Sequence, residues 1–132
     1  MRTTLIIPPL AVLALTSMTT QADPPPSHTV EMEIVDVPKT GQAHIAKFAM
    51  AIVENRGWFS TNSHDGTAAL KLMARLDRDA ASNLTLQLGV ERHGSNDFDV
   101  NAAKVVAPQP IRSLMSRVDR DTGSTEIFAT VR

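Results

Sequence analysis

The chain has 132 residues, with 13 basic and 14 acidic side chains and no cysteine. Its near balance of charge gives no electrostatic reason to expect nucleic acid or an anionic membrane surface as partner. The absence of cysteine excludes thiol catalysis, cysteine-ligated zinc and an N-terminal lipid on cysteine, so stability must come from the core rather than from the disulfides many small exported domains use.

The chain opens with Met1-Arg2, an apolar stretch from Leu5 to Leu15, and the small polar run "TSMTTQA" before "DPPPS". A basic start, a short apolar region and small residues at Thr20 and Ala22 form the pattern of a secretory signal peptide over residues 1–22. A transmembrane helix is the competing reading, but the apolar run is about half of the roughly 20 residues a bilayer requires and contains Pro8-Pro9. Export to the periplasm or medium of a bacterium is therefore expected, with no membrane span in the mature chain. Residues 23–28 read as a proline-rich arm, in which Pro24, Pro25 and Pro26 favour extended polyproline backbone. Residues 29–132 suit a single β domain.

In "HTVEMEIVDV", Val30, Met32 and Ile34 alternate with Glu31, Glu33 and Val35, the period of two of a half-buried strand. "AHIAKFAMAIV" is apolar on both parities, so residues 43–53 read as a strand covered on both faces, with a short buried helix as the alternative. Asn55-Arg56-Gly57 predicts a turn, residues 58–63 a short strand, and Asp65-Gly66 a type I′ turn. "LKLMARLDRDAASNLTLQLGV" then forms a hairpin. Leu70, Leu72, Ala74 and Leu76 share one face, Leu84, Leu86, Leu88 and Val90 the other strand's equivalent, and residues 77–83 are too polar to bury.

After the turn cluster "HGSND", Phe98, Val100 and Ala102 alternate with Asp97, Asp99 and Asn101, and Pro108 and Pro110 end that strand. A final hairpin places Leu114 and Val118 on one parity before "DRDTGS", then alternates Ile127, Ala129 and Val131 with Glu126, Phe128 and Thr130. Seven or eight such strands predict an all-β fold, an antiparallel β-sandwich or a small barrel. An outer-membrane barrel is disfavoured, because such barrels carry aromatic girdles and this chain has 4% aromatic residues and no tyrosine.

Few residues point to chemistry. His28, His44, His64 and His93 lack the i, i+2 or i, i+4 pairing of local chelation and read as exposed turn histidines. Asp119, Asp121 and Glu126 around Gly123 miss the spacing of a calcium loop and read as a hairpin that uses the glycine for positive φ. Asp97 and Asp99 share a strand parity suited to paired acid/base work or simply to a solvated face. The sequon at Asn83 matters only in a eukaryotic source. No G-x-S-x-G elbow, P-loop or G-x-G-x-x-G occurs. Accordingly no catalytic, cofactor-binding or metal-binding residue is proposed from the sequence and no cofactor is expected; the expected partner is an unidentified protein or envelope component, in an oligomeric state the sequence leaves open.

The succession "VEMEIVDV", "HDGTAALKL" and "ARLDRDAASNLTLQLGVER", over residues 30–92, resembles the β-rich core of bacterial outer-membrane secretins in its order of strands and turns. The resemblance implies a related strand order or an accessory of an envelope machine, and carries no functional residue across. The expected function is thus a small exported, non-enzymatic binding or structural module of the bacterial envelope. Alternatives are an accessory component of a secretion or envelope complex and a small exported hydrolase using Asp97, Asp99 or a histidine.

Overall fold

The computed structural model describes residues 26–132. The expected signal peptide and the first part of the proline-rich arm lie outside the described residues. Among the described residues, alternating apolar and polar side chains form eight strands: β1 (Ser27–Pro38), β2 (His44–Val53), β3 (Phe59–Asp65), β4 (Ala68–Arg78), β5 (Leu84–His93), β6 (Phe98–Val105), β7 (Ser113–Arg120) and β8 (Gly123–Val131). They make two antiparallel four-stranded sheets, ordered β2-β1-β8-β7 and β3-β4-β5-β6, and neither closes into a barrel. The architecture is a β-sandwich. Because β1 begins at Ser27, His28 belongs to the sheet rather than to the extended arm.

The expected hairpin is β4–β5, in register with Leu72 opposite Val90 and Leu76 opposite Leu86. Its apolar parity meets that of the other sheet, where Val30, Met32, Ile34, Met50, Ile52, Ile127 and Ala129 are buried in the same cluster. Leu72 and Leu76 are at most 1% exposed, so each contributes on the order of 1.5–3 kcal/mol by leaving water. The leucine face is thus filled within one chain.

Four expectations need correction. Residues 44–53 form a strand, as favoured, but β2 is an edge strand whose outer parity (Ile45, Lys47, Ala49 and Ala51) is exposed. Its alanines made both parities look buried, because a small side chain is compatible with either environment. In the third strand Trp58 stays in the preceding connection and pairing runs from Phe59 to Asp65.

The β3–β4 turn is the pair Gly66-Thr67, with positive φ (64°) at the glycine alone. Positive φ at the first central position only is the requirement of type II′, not I′. In β7 a register shift between Leu114 and Ser116 reverses the parity. Leu114 points outward, 39% exposed, while Met115 packs against the core and Val118 remains inward.

The turns segregate. The β1–β2, β3–β4, β5–β6 and β7–β8 turns lie at one end, with Asp36 opposite His44, Asp65 opposite Ala68, Arg92 opposite Phe98 and Arg120 opposite Gly123. The β4–β5 turn and the two sheet-to-sheet crossovers, β2–β3 and β6–β7, lie at the other end. Gly123 closes the hairpin end. Its φ is +149°, as expected of a glycine-dependent turn, and a Cβ there would collide with the carbonyl oxygen of Val37 on β1.

Candidate functional site

Strand parity explains where the charged side chains go. In β1 the inward series Val30, Met32, Ile34 continues to Asp36, and in β5 the inward series Leu84 to Val90 continues to Arg92. Thr125 is the inward residue of β8 opposite Asp36, and Arg120 follows Val118 in β7. Each strand therefore carries its core-facing row one step too far, into a polar group, and these groups meet at the hairpin end.

Arg92 is their hub, only 2% exposed. Its Nη1 and Nη2 donate to both oxygens of Asp36 at 2.9 and 2.8 Å, and its Nε and Nη2 donate to the carbonyl oxygen of Asn96 at 3.2 and 3.1 Å. Its guanidinium lies over the ring of Phe98, 4.8 Å from the centroid. The buried Thr125 hydroxyl donates to Asp36 at 2.6 Å and accepts from Arg92 at 3.4 Å and Arg120 at 2.7 Å, which saturates it.

Burial of Asp36 opposes its ionisation, but hydrogen bonds from Arg92 and Thr125, with the charges of Arg92 and Arg120, outweigh it. Together they hold the carboxyl below its ordinary 3.8. On the β3 side, His44 Nε2 donates to Asp65 at 2.7 Å, tying the edge strands of the two sheets together. Over this network opens a cleft of about 620 Å3, walled by Asp36, His44, Asp65, Arg92 and Arg120 and rimmed by turn residues that include Gln42 and Thr122.

The crossover end is built the other way round, on a buried anion. Glu54 is 2% exposed and accepts from Arg78 Nε and Nη2, both at 2.8 Å, and from His28 Nε2 at 2.6 Å. A carboxylate can only accept, so Nε2 of His28 carries the proton. The hydrogen bonds from Arg78 prevail over burial, and with His28 they bring the Glu54 carboxyl down to about 2. A second cleft, of about 560 Å3, opens beside this pair between Arg78, Arg132 and the β6–β7 crossover at Pro108 and Pro110.

The residues singled out from sequence are dispersed. His28 and His44 serve opposite ends, and His28 is half-buried rather than an exposed turn residue. His64 and His93 are exposed on strands flanking β4, each opposite Ala69. Among the described residues no three His, Asp or Glu side chains are grouped to hold a metal ion. Asp97 accepts from the Gly94 amide at 2.7 Å and so locks the β5–β6 turn, whereas Asp99 lies exposed on β6. Asp119 pairs with Arg117 at 2.9 Å, and Glu126 with the same arginine at 3.3 Å.

Sequence reasoning missed Asp36, Arg92, Thr125, Arg120, Glu54 and Arg78. The signal was available at Asp36, Arg92, Arg78 and Arg120, each a charged residue in phase with the apolar parity of its strand. Glu54, two residues beyond Ile52, is also in phase with the buried parity of β2, but both parities of that run are apolar, so its phase did not stand out. No helix among the described residues is long and apolar enough to cross a membrane. Compared with known proteins, the chain matches no family model, no curated protein and no solved structure.

Proposed function

We propose that the protein is a small exported, non-enzymatic binding module of the bacterial envelope, and that it binds through the cleft at its hairpin end. One observation carries this reading. The buried carboxylates, Asp36 and Glu54, are each committed to a bidentate arginine pair. A carboxylate bonded in this way is occupied in joining the two sheets. The same pairing gives the cleft a fixed polar floor, since every partner of Arg92 comes from a different strand or turn. Rigid strands presenting turn-borne polar groups around an open cleft form a common arrangement for binding.

The secretin-like order of residues 30–92 supports a second reading, an accessory of a secretion or envelope complex, in which the occupant is a subunit of that machine. Both readings are tested by site-specific photo-crosslinking in cells that export the protein. A photoreactive residue replaces Gln42 or Thr122 on the cleft rim, or Asn62 on the outer face of β3. Adducts from the rim positions alone are expected, and the mass of the adduct separates a small ligand from a machine subunit. No adduct from the rim, or equal adducts from Asn62, contradicts the placement of the binding site.

A further inference from the structure

Two arginines converge at the hairpin end on the same acceptors, yet only one of them makes an ion pair. Arg92 is neutralised by the bidentate carboxylate of Asp36. Arg120 donates through Nη1 to the hydroxyl of Thr125 at 2.7 Å and through Nη2 to the carbonyl oxygen of Asn96 at 3.0 Å, both neutral oxygens. It makes no ion pair with any carboxylate among the described residues, whereas Arg75, Arg78, Arg92, Arg112, Arg117 and Arg132 all do; Arg56, the other arginine without one, lies away from this cleft in the β2–β3 crossover. A guanidinium has five N–H donors. Arg120 therefore lines the cleft with its plane fixed by two bonds, its remaining donors without a partner among the described residues, and a second guanidinium bonded to the same two oxygens.

Resting on the binding role of this cleft, we infer that it takes a ligand bearing a carboxylate, with Arg120 as the anion-binding residue. The planar fork of a guanidinium matches a carboxylate through two parallel N–H···O bonds. Because Thr125 and Asn96 already hold the side chain, little conformational freedom is left to lose on binding. Phosphate is the other oxyanion the fork fits. A phosphate group carries a charge of about −1.5 to −2 at neutral pH, and here it would face the carboxylates of Asp36 and Asp65 on the same walls. A singly charged carboxylate meets less of that repulsion. Thr122 in the β7–β8 turn and Ser95 in the β5–β6 turn, both on the lining of the cleft, suit the polar remainder of such a ligand.

The test is a titration of the exported protein, labelled with nitrogen-15, at fixed ionic strength with N-acetylglycine, its methyl ester and inorganic phosphate. N-acetylglycine is expected to shift the amides of Asn96 and of residues 122–124 to saturation. The ester, of the same shape without the charge, is expected to bind at least about tenfold more weakly, the effect of losing a charge-assisted pair. Arg120→Gln is expected to weaken the acid to the level of the ester, and Arg120→Lys, which keeps the charge without the fork, to fall between.

Equal binding of acid and ester overturns the inference, as does phosphate binding more tightly than the acid, or no saturable shift with any of the three. The comparison of acid with ester needs no variant, so it stands even if a substitution at Arg120 disturbs Thr125. Rim crosslinks combined with no response to the acid would overturn the carboxylate and leave the binding module standing. Loss of both would overturn both.

Discussion

At the hairpin end the buried hub is a cation, Arg92, fed by Asp36 and Thr125 from the opposite sheet; at the crossover end it is an anion, Glu54, held by Arg78 from the opposite sheet and by His28. Both hubs join the two sheets where the apolar row stops. They differ in what they leave to solvent. At the crossover end Arg78 has its carboxylate in Glu54, and Arg132 has one in Glu31. At the hairpin end a second arginine has none. The comparison teaches that buried charge can serve closure at both ends of a sandwich while only the hairpin-end cleft is lined by an arginine that makes no ion pair among the described residues.

The largest effect should come from breaking the buried pair at the hairpin end. Arg92→Met leaves Asp36 without its bidentate partner in a mostly buried site and is expected to cost about 3–5 kcal/mol in urea denaturation. The apolar rows between the hubs come next. Leu72→Ala or Leu86→Ala, each leaving a cavity in the packed hairpin, should cost about 2–5 kcal/mol by the same measurement. Such losses would also fit the role of these rows as core, since both leucines are at most 3% exposed.

Glu54→Gln keeps the shape of the crossover hub but removes its charge. Arg78 is 38% exposed and can turn to water, so the loss should be smaller than at Arg92, on the order of 1–3 kcal/mol. A cost equal to that of Arg92→Met would mean that the two ends are equivalent. Lys71, on the solvent face of β4 beside these rows, should tolerate alanine within about 0.5 kcal/mol.

Much of the architecture is legible in the sequence, because alternation fixes both the existence of a strand and its buried face. Val30-Met32-Ile34 and the Leu70–Leu76 and Leu84–Val90 rows are all oriented as their parity predicts. Alternation fails where its assumptions fail. The alanines of β2 suit either environment and concealed an edge strand, and the irregularity at Leu114–Ser116 reversed a parity that no residue type announces. The hubs illustrate a subtler case. Asp36, Arg78 and Arg92 were in phase with buried rows, yet charge at the end of a row reads as the end of the strand unless a partner is known. The partners lie 56 residues apart for Arg92 and Asp36, and 24 for Arg78 and Glu54. Only the stacking of the two sheets brings them together.

The most direct test of the account is the titration of the side-chain carboxyl groups of Asp36 and Glu54, followed by carbon-13 NMR across acidic pH. Both are depressed in the folded state, so the stability they contribute is complete above their ordinary values and is lost as pH falls through the folded ones. For Glu54 that window runs from 4.5 down to about 2. The account predicts a Glu54 midpoint near 2 and an Asp36 midpoint below 3.8, with unfolding in acid accompanying them. A midpoint at or above the ordinary value for either group would contradict it. Such a carboxyl would not be held by its arginine, and the hub built on it would not exist as described.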